Sequence, residues 1–186
     1  MPAYVPTEPE KIELFTRHFY YEVQILAEAT ALHYSLEYSL PNSAPATKRA
    51  INNMCLETTM HARVLLQFFT SQRRSWDKDA IPSDFLKVGE AWTIPTINEV
   101  TYPNLKKVKD RASKEVAHLT YERVPADQLQ TSWDLAGIVI EMFDLINKFV
   151  PKCKEDYVSN ELKQLIGHLA DFVNKLKADK ASGRIP

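Results

Sequence analysis

Proline placement and helical spacing together restrict this sequence to long helices. The 11 prolines collect in a few places and leave long proline-free segments between them. Because proline breaks the interior of a helix, we expect the helices to lie between the proline clusters. Within these segments apolar residues recur three and four positions apart, which is the spacing of one buried helix face. With only 4 glycines and no clean alternation of apolar and polar residues, the sequence predicts an all-α protein.

The spacing predicts amphipathic helices with identifiable ends. The first begins at a capping box, Thr7-Glu8-Pro9-Glu10, and ends before Pro41, because the residue before a proline is disfavoured in the helical region. The second begins near Ser43 with Pro45 in its first turn, and the fifth follows Ser159, a residue type that favours the N-cap. The five predicted helices cover about 7–40, 43–71, 104–121, 131–150 and 160–178.

Five such helices predict an up-and-down bundle with a long irregular connection between the second and third helices. The 186 residues suit a single domain, and its ends are expected to fray near 1–6 and 180–186. The irregular connection spans 75–103, and a short helix fits within it from Ser83 to Trp92. The aromatic residues expected to pin this connection to the core are Trp76, Phe85 and Trp92.

The charge balance gives the chain no global attraction to nucleic acid. There are 23 basic and 24 acidic residues, for a net charge of −1. Two local basic clusters, Arg73-Arg74 and Lys106-Lys107 with Lys109, suit either the flank of a phosphate-binding groove or an ordinary solvated surface. Any binding to nucleic acid must therefore be local.

Nothing in the sequence points to a membrane, to secretion or to a cofactor. No apolar run approaches the roughly 20 residues that cross a bilayer. The N-terminus has no basic segment followed by an apolar one, so no signal peptide is expected. Cys55 and Cys153 form no CxxC motif, and two reduced thiols fit a cytoplasmic protein. No glycine-rich phosphate loop is possible with so few glycines.

One polar row on the third predicted helix carries the residues best suited to chemistry. Arg111 and His118 are seven positions apart, nearly two turns, so their side chains share one face roughly 10 Å apart along the axis. Glu115 falls between them, and Glu122 continues the row. The row lies at the edge of the apolar stripe, where partial burial shifts pKa values.

An arginine followed after six residues by a histidine, late in a helix of an all-α bundle, resembles the motif of the HEPN superfamily. Many of its members are metal-independent ribonucleases, and others are binding or scaffold domains. The motif commonly has a polar residue directly after the arginine, where this sequence has Ala112. The resemblance implies an RNA-binding or RNA-cleaving protein in which two protomers pair their motif helices into one composite site.

The resemblance also implies roles for the two motif residues. His118 would be the general acid or base when the RNA 2′-hydroxyl attacks the adjacent phosphate, since imidazole titrates near neutrality. Arg111 would stabilise the charge that builds on the phosphorane oxygens. No metal or cofactor is implied. The segments 60–69 and 116–123 also resemble small bacterial helical proteins without an assigned activity.

Two other functions stay open at this point. Glu57 and His61 on the second helix, like His118 and Glu122 on the third, are four positions apart and project together. They fit a buried polar network in a non-catalytic structural or interaction bundle, which would be a dimer in one version. They also fit a metal-binding bundle that uses Glu57, His61 and His118. The supporting polar network predicted around Arg111 and His118 comprises Glu57, His61, Arg63, Glu115, Glu122 and Arg123.

Overall fold

The structure, a computed structural model, describes residues 5–39, 44–72, 79–112 and 133–185. In these ranges the chain forms helices, short 3-10 turns and loops, and no strand, so the all-α prediction is confirmed. The first helix, α1, consists of three consecutive pieces: Glu8–Glu13, a π-helical segment Leu14–Phe19, and Tyr20–Ser39. The other helices are α2 (Pro45–Thr70), α3 (Pro103–Ala112), α4 (Leu135–Phe149) and α5 (Asn160–Ala181).

The start of α1 follows the predicted capping box. The backbone N–H of Thr7 donates to the Glu10 carboxylate at 2.8 Å, so a donor that has no partner inside the helix is satisfied. The π-helical segment that follows contains Phe15 and Phe19, whose rings stack with centroids 4.5 Å apart. Both rings are buried in the core, so the widened turn places two aromatic side chains inside the bundle.

Two further helix starts depend on side-chain caps. The Asp134 carboxylate accepts from the Gly137 N–H at 2.8 Å and begins α4, later than the predicted start near Thr131 or Ser132, both of which lie outside the described residues. The Ser159 hydroxyl accepts from the Leu162 N–H at 3.2 Å and begins α5 where the sequence predicted it.

The core forms around α4, which packs against all four other helices. Residues on nearly every face of α4 are buried, as expected for the most apolar of the described helices. Aromatic rings from α1, α2 and the 79–102 connection meet Phe149 at the end of α4. The rings of this cluster are those of Phe15, Phe19, Phe68, Phe69, Phe85, Trp92 and Phe149.

The connection between α2 and α3 is pinned to the core as predicted, although one of its expected elements is wrong. Phe85 is buried, and the Trp92 indole N–H donates to the Phe69 carbonyl at 2.8 Å; Trp76 lies outside the described residues. No helix forms between Ser83 and Trp92 apart from one 3-10 turn, Pro82–Asp84. The backbone there instead bonds to residues 152–154, and at Gly89 it turns through a φ of 86°, which lies outside the helical region.

The end of the chain differs from the expected frayed tail. α5 continues to Ala181, and Ile185 is only 6% exposed. The Tyr38 hydroxyl donates to the Arg184 carbonyl at 2.8 Å, and the Arg184 guanidinium lies 2.8 Å from the Asp179 carboxylate. The hydrogen bond from Tyr38 therefore holds the described tail against the end of α1, and the ion pair with Asp179 holds it against α5.

Neither a membrane span nor a reactive thiol is found in the part of the chain that the structure describes. None of the described helices is both long enough and apolar enough to cross a bilayer. Both cysteines are free, Cys55 half-buried and Cys153 buried. Burial raises the pKa of the Cys153 thiol to about 12, so this thiol stays protonated and unreactive.

Candidate functional site

The N-terminus of α3 is held by a carboxylate from α4. Glu141 accepts from the backbone N–H of Asn104 at 3.1 Å and from that of Leu105 at 2.8 Å. The Asn104 side-chain amide also donates to Glu141, at 2.7 Å. A negative charge at a helix N-terminus is stabilised by the free N–H groups and by the helix dipole. Glu141 therefore fixes where α3 starts relative to α4.

A glycine makes this junction possible. Gly137 lies on α4 one turn before Glu141, and a Cβ there would be 2.3 Å from the Asn104 side-chain nitrogen and 2.5 Å from the Asp134 carboxylate. Asp134 also lies 2.8 Å from the Lys180 ammonium of α5. The junction thus joins α3, α4 and α5 through side chains that would have to shift if position 137 carried a Cβ.

The last turn of α3 carries Arg111, the first residue of the predicted motif. Its guanidinium lies over the Trp133 ring, 4.6 Å from the ring centroid, and both side chains are half-buried. Such a cation–π contact stabilises and orients the guanidinium. Trp133 directly precedes Asp134, the N-cap of α4, so this contact links the end of α3 to the start of α4.

The outer side of α3 is basic. Lys107 and Lys109 are exposed, whereas Lys106 pairs with Asp110 one turn further along. The aspartate is the only acid among the ten residues of the helix. A cationic surface therefore lies beside Arg111, and whether it flanks a phosphate-binding groove stays a prediction.

The second motif residue, His118, lies outside the described residues, as do Glu115, Glu122 and Arg123. The predicted pairing of Arg111 with His118 on one face stays a prediction. In the described parts of the chain, α2 packs against α3.

On α2, His61 is held between two carboxylates. Its Nδ1 lies 2.6 Å from Glu22 of α1, and its Nε2 lies 3.3 Å from Glu57, one turn earlier on α2. The His61 side chain is 13% exposed, and Glu57 is the more exposed of the two acids. The hydrogen bond with the Glu22 carboxylate is the largest cause that raises the pKa of His61. His61 therefore links α1 to α2.

The two carboxylate contacts of His61 affect the predicted metal site, because they occupy its ring nitrogens. A histidine ligand binds a metal through one ring nitrogen, and both nitrogens of His61 already face carboxylates. Among the described residues, no group of three or more His, Cys, Asp and Glu side chains is placed to hold a metal ion. A site that combines Glu57, His61 and His118 stays a prediction, since His118 lies outside these residues.

Two important polar residues were missed by sequence reasoning, although each had a signal. Glu22 lies in the apolar stripe between Phe19 and Leu26, a position where a carboxylate needs a partner. Glu141 is one of few charged residues in the otherwise apolar α4. Arg63, which was predicted to support the network, lies half-buried on α2.

Comparisons with protein-family models, with curated proteins and with solved structures found no match to this chain. Function must therefore be argued from its own residues.

Proposed function

We propose that this chain is a HEPN-like protein that binds RNA, and cleaves it without a metal ion, at a site built from Arg111 and His118. The observation that supports the proposal is the placement of Arg111. A cation in the last turn of a basic helix is oriented by an aromatic ring, and the start of that helix is fixed by Glu141. RNA is an intracellular substrate, so the proposal also implies a cytoplasmic protein.

The chemistry of a guanidinium agrees with this role. Stacking on Trp133 uses the face of the guanidinium, whereas hydrogen bonds to a phosphate are made in its plane. Exposed Lys107 and Lys109 add positive charge on the same helix, where they would contact neighbouring phosphates. Arg111 would then stabilise the phosphorane while His118 transfers a proton, and two protomers would pair their motif helices to complete the site.

Titrations of a fluorescent single-stranded RNA at several salt concentrations test this proposal. The double variant Lys107→Ala/Lys109→Ala should bind more weakly and lower the salt slope by roughly 1 per lost phosphate contact. Lys163→Ala/Lys175→Ala on α5 is the matched control, because both lysines are exposed and lie on another helix. If the two double variants lost the same amount of RNA affinity, α3 would not be the binding surface.

A parallel assay addresses cleavage. Wild-type protein with RNA and a chelator should give products that end in 2′,3′-cyclic phosphate, and Arg111→Ala should lower the rate by roughly a hundredfold, the usual effect of losing one oxyanion donor. Cleavage that disappears with the chelator would contradict a metal-independent reaction and favour the metal-binding bundle.

A non-catalytic structural or interaction bundle, which would be a dimer in one version, is the second candidate. One observation favours it: polar side chains that are buried in the described part of the chain are satisfied within the bundle, and none of their nitrogen or oxygen atoms lacks a partner. Thr30 and Thr58, for instance, hydrogen-bond across α1 and α2 at 3.1 Å. Under this candidate His118→Ala lowers the melting temperature and leaves RNA binding unchanged.

A further inference from the structure

A cleft of about 280 Å³ opens between the π-helical segment of α1 and the C-terminal half of α2. Its apolar lining includes Leu14 and Phe19 from α1, and Val64 and Phe68 from α2. Residues inserted into a helix as a π turn are frequent at functional sites, and here the π turn supplies part of the wall. The size suits a ligand of about ten non-hydrogen atoms rather than a macromolecule.

Acidic side chains line part of the cleft. Among the described lining residues, Glu22 and Asp79 carry carboxylates and His18 carries an imidazole. Glu22 is held by His61, whose Nδ1 lies 2.6 Å from the Glu22 Oε2. A carboxylate with a fixed position at an apolar wall is suited to one charge-assisted hydrogen bond to a cation.

We propose that this cleft binds a small amine with an apolar or aromatic body, whose ammonium group pairs with Glu22. The apolar body would lie against Phe19, Val64 and Phe68, and the ammonium would reach the carboxylate that His61 holds. Charge complementarity selects the amine over an acid of the same shape. This site is separate from α3 and does not depend on RNA binding.

Calorimetric titration at neutral pH tests the proposal with phenethylamine, 2-phenylethanol and phenylacetate, which share a ring and chain length and differ in charge. Phenethylamine should bind in the millimolar range or tighter, roughly tenfold more tightly than the alcohol, and the acid should bind least. Glu22→Gln should bring the amine down to the affinity of the alcohol. Glu28→Gln changes an exposed carboxylate on α1 that does not line the cleft, so its affinity for phenethylamine should stay within about twofold of wild type.

A second variant keeps the test decisive if Glu22→Gln folds poorly. Val64→Trp fills the cleft and leaves Glu22 and His61 in place, so it should abolish amine binding. Leu56→Trp is its matched control, because Leu56 is 44% exposed on the same helix, Val64 is 42% exposed, and only Val64 lines the cleft. Equal binding of the three probes, no amine binding up to about 10 mM, or equal binding by the two tryptophan variants would overturn the proposal.

Discussion

Gly137 shows how a single residue can determine a helix junction. Because a Cβ there would lie 2.3 Å from the Asn104 amide nitrogen, Gly137→Ala should displace Asn104 from Glu141. We expect a loss of about 1–3 kcal/mol in the free energy of unfolding, from steric strain and a broken hydrogen bond to a charged group. Chemical denaturation of the purified variant measures this loss.

Gly167 supplies the control for that prediction. It lies exposed within α5, and a Cβ there would meet nothing within 4 Å. Gly167→Ala should therefore stabilise the protein by about 0.5–1 kcal/mol, the helix-propensity difference alone. If the two alanine variants changed stability by the same amount and sign, the junction at Gly137 would not be the constraint described above.

His61 gives the stability of the protein a predictable dependence on pH. The pKa of His61 is raised in the folded state above its ordinary value of 6.5, first by the hydrogen bond with Glu22. Its stabilising contribution is therefore complete below about pH 6.5 and is lost as the pH rises through the raised folded pKa. His61→Gln should cost about 1–2 kcal/mol at pH 6 and clearly less at pH 9.

Denaturation curves at both pH values measure the difference, with His168→Gln as the control. His168 is exposed on α5, so removing its imidazole tests whether any histidine gives the same effect. A loss for His61→Gln that is equal at the two pH values, or larger at pH 9, would contradict the protonated bridge between α1 and α2.

At the scale of the element, α3 depends on a cap that it does not itself contain. Glu141→Ala would leave the N–H groups of Asn104 and Leu105 and the Asn104 amide without their acceptor. We expect a loss of about 2–4 kcal/mol, since several donors lose one charged partner. Glu141→Gln should cost less, because its amide oxygen still accepts.

Hydrogen exchange of the α3 amides, together with denaturation, distinguishes a local from a global effect. Protection should fall most at the start of α3, around Leu105. Asn147→Ala, at an exposed position on the same α4, should leave α3 protected. Unchanged protection of α3 in Glu141→Ala would mean that the helix start has another support.

Helix starts that depend on neighbouring residues were predictable, and contacts between distant residues were not. Thr7 and Ser159 act within one turn, so their capping roles could be read from adjacent positions. Glu141 acts on a residue 37 positions earlier, and Glu22 acts on His61 39 positions later. Partners so far apart in sequence are chosen by the packing of helices, which local patterns do not encode.

At the scale of the whole molecule, the apolar periodicity was enough to predict the all-α fold. The connection before α3 departed from its local pattern because its backbone pairs with residues 152–154. The candidate site was predicted only in part: Arg111 was named from its spacing to His118, whereas its contact with Trp133 joins two separate helical regions.

The central claim is that Arg111 and His118 serve RNA rather than the stability of the bundle. Its most direct test compares the RNA affinity and the melting temperature of wild type, Arg111→Ala and His118→Ala under one set of conditions. The RNA proposal predicts that each variant binds at least roughly tenfold more weakly, while its melting temperature stays close to that of wild type. Unchanged RNA affinity with a lowered melting temperature in both variants would contradict it and identify the two residues as structural.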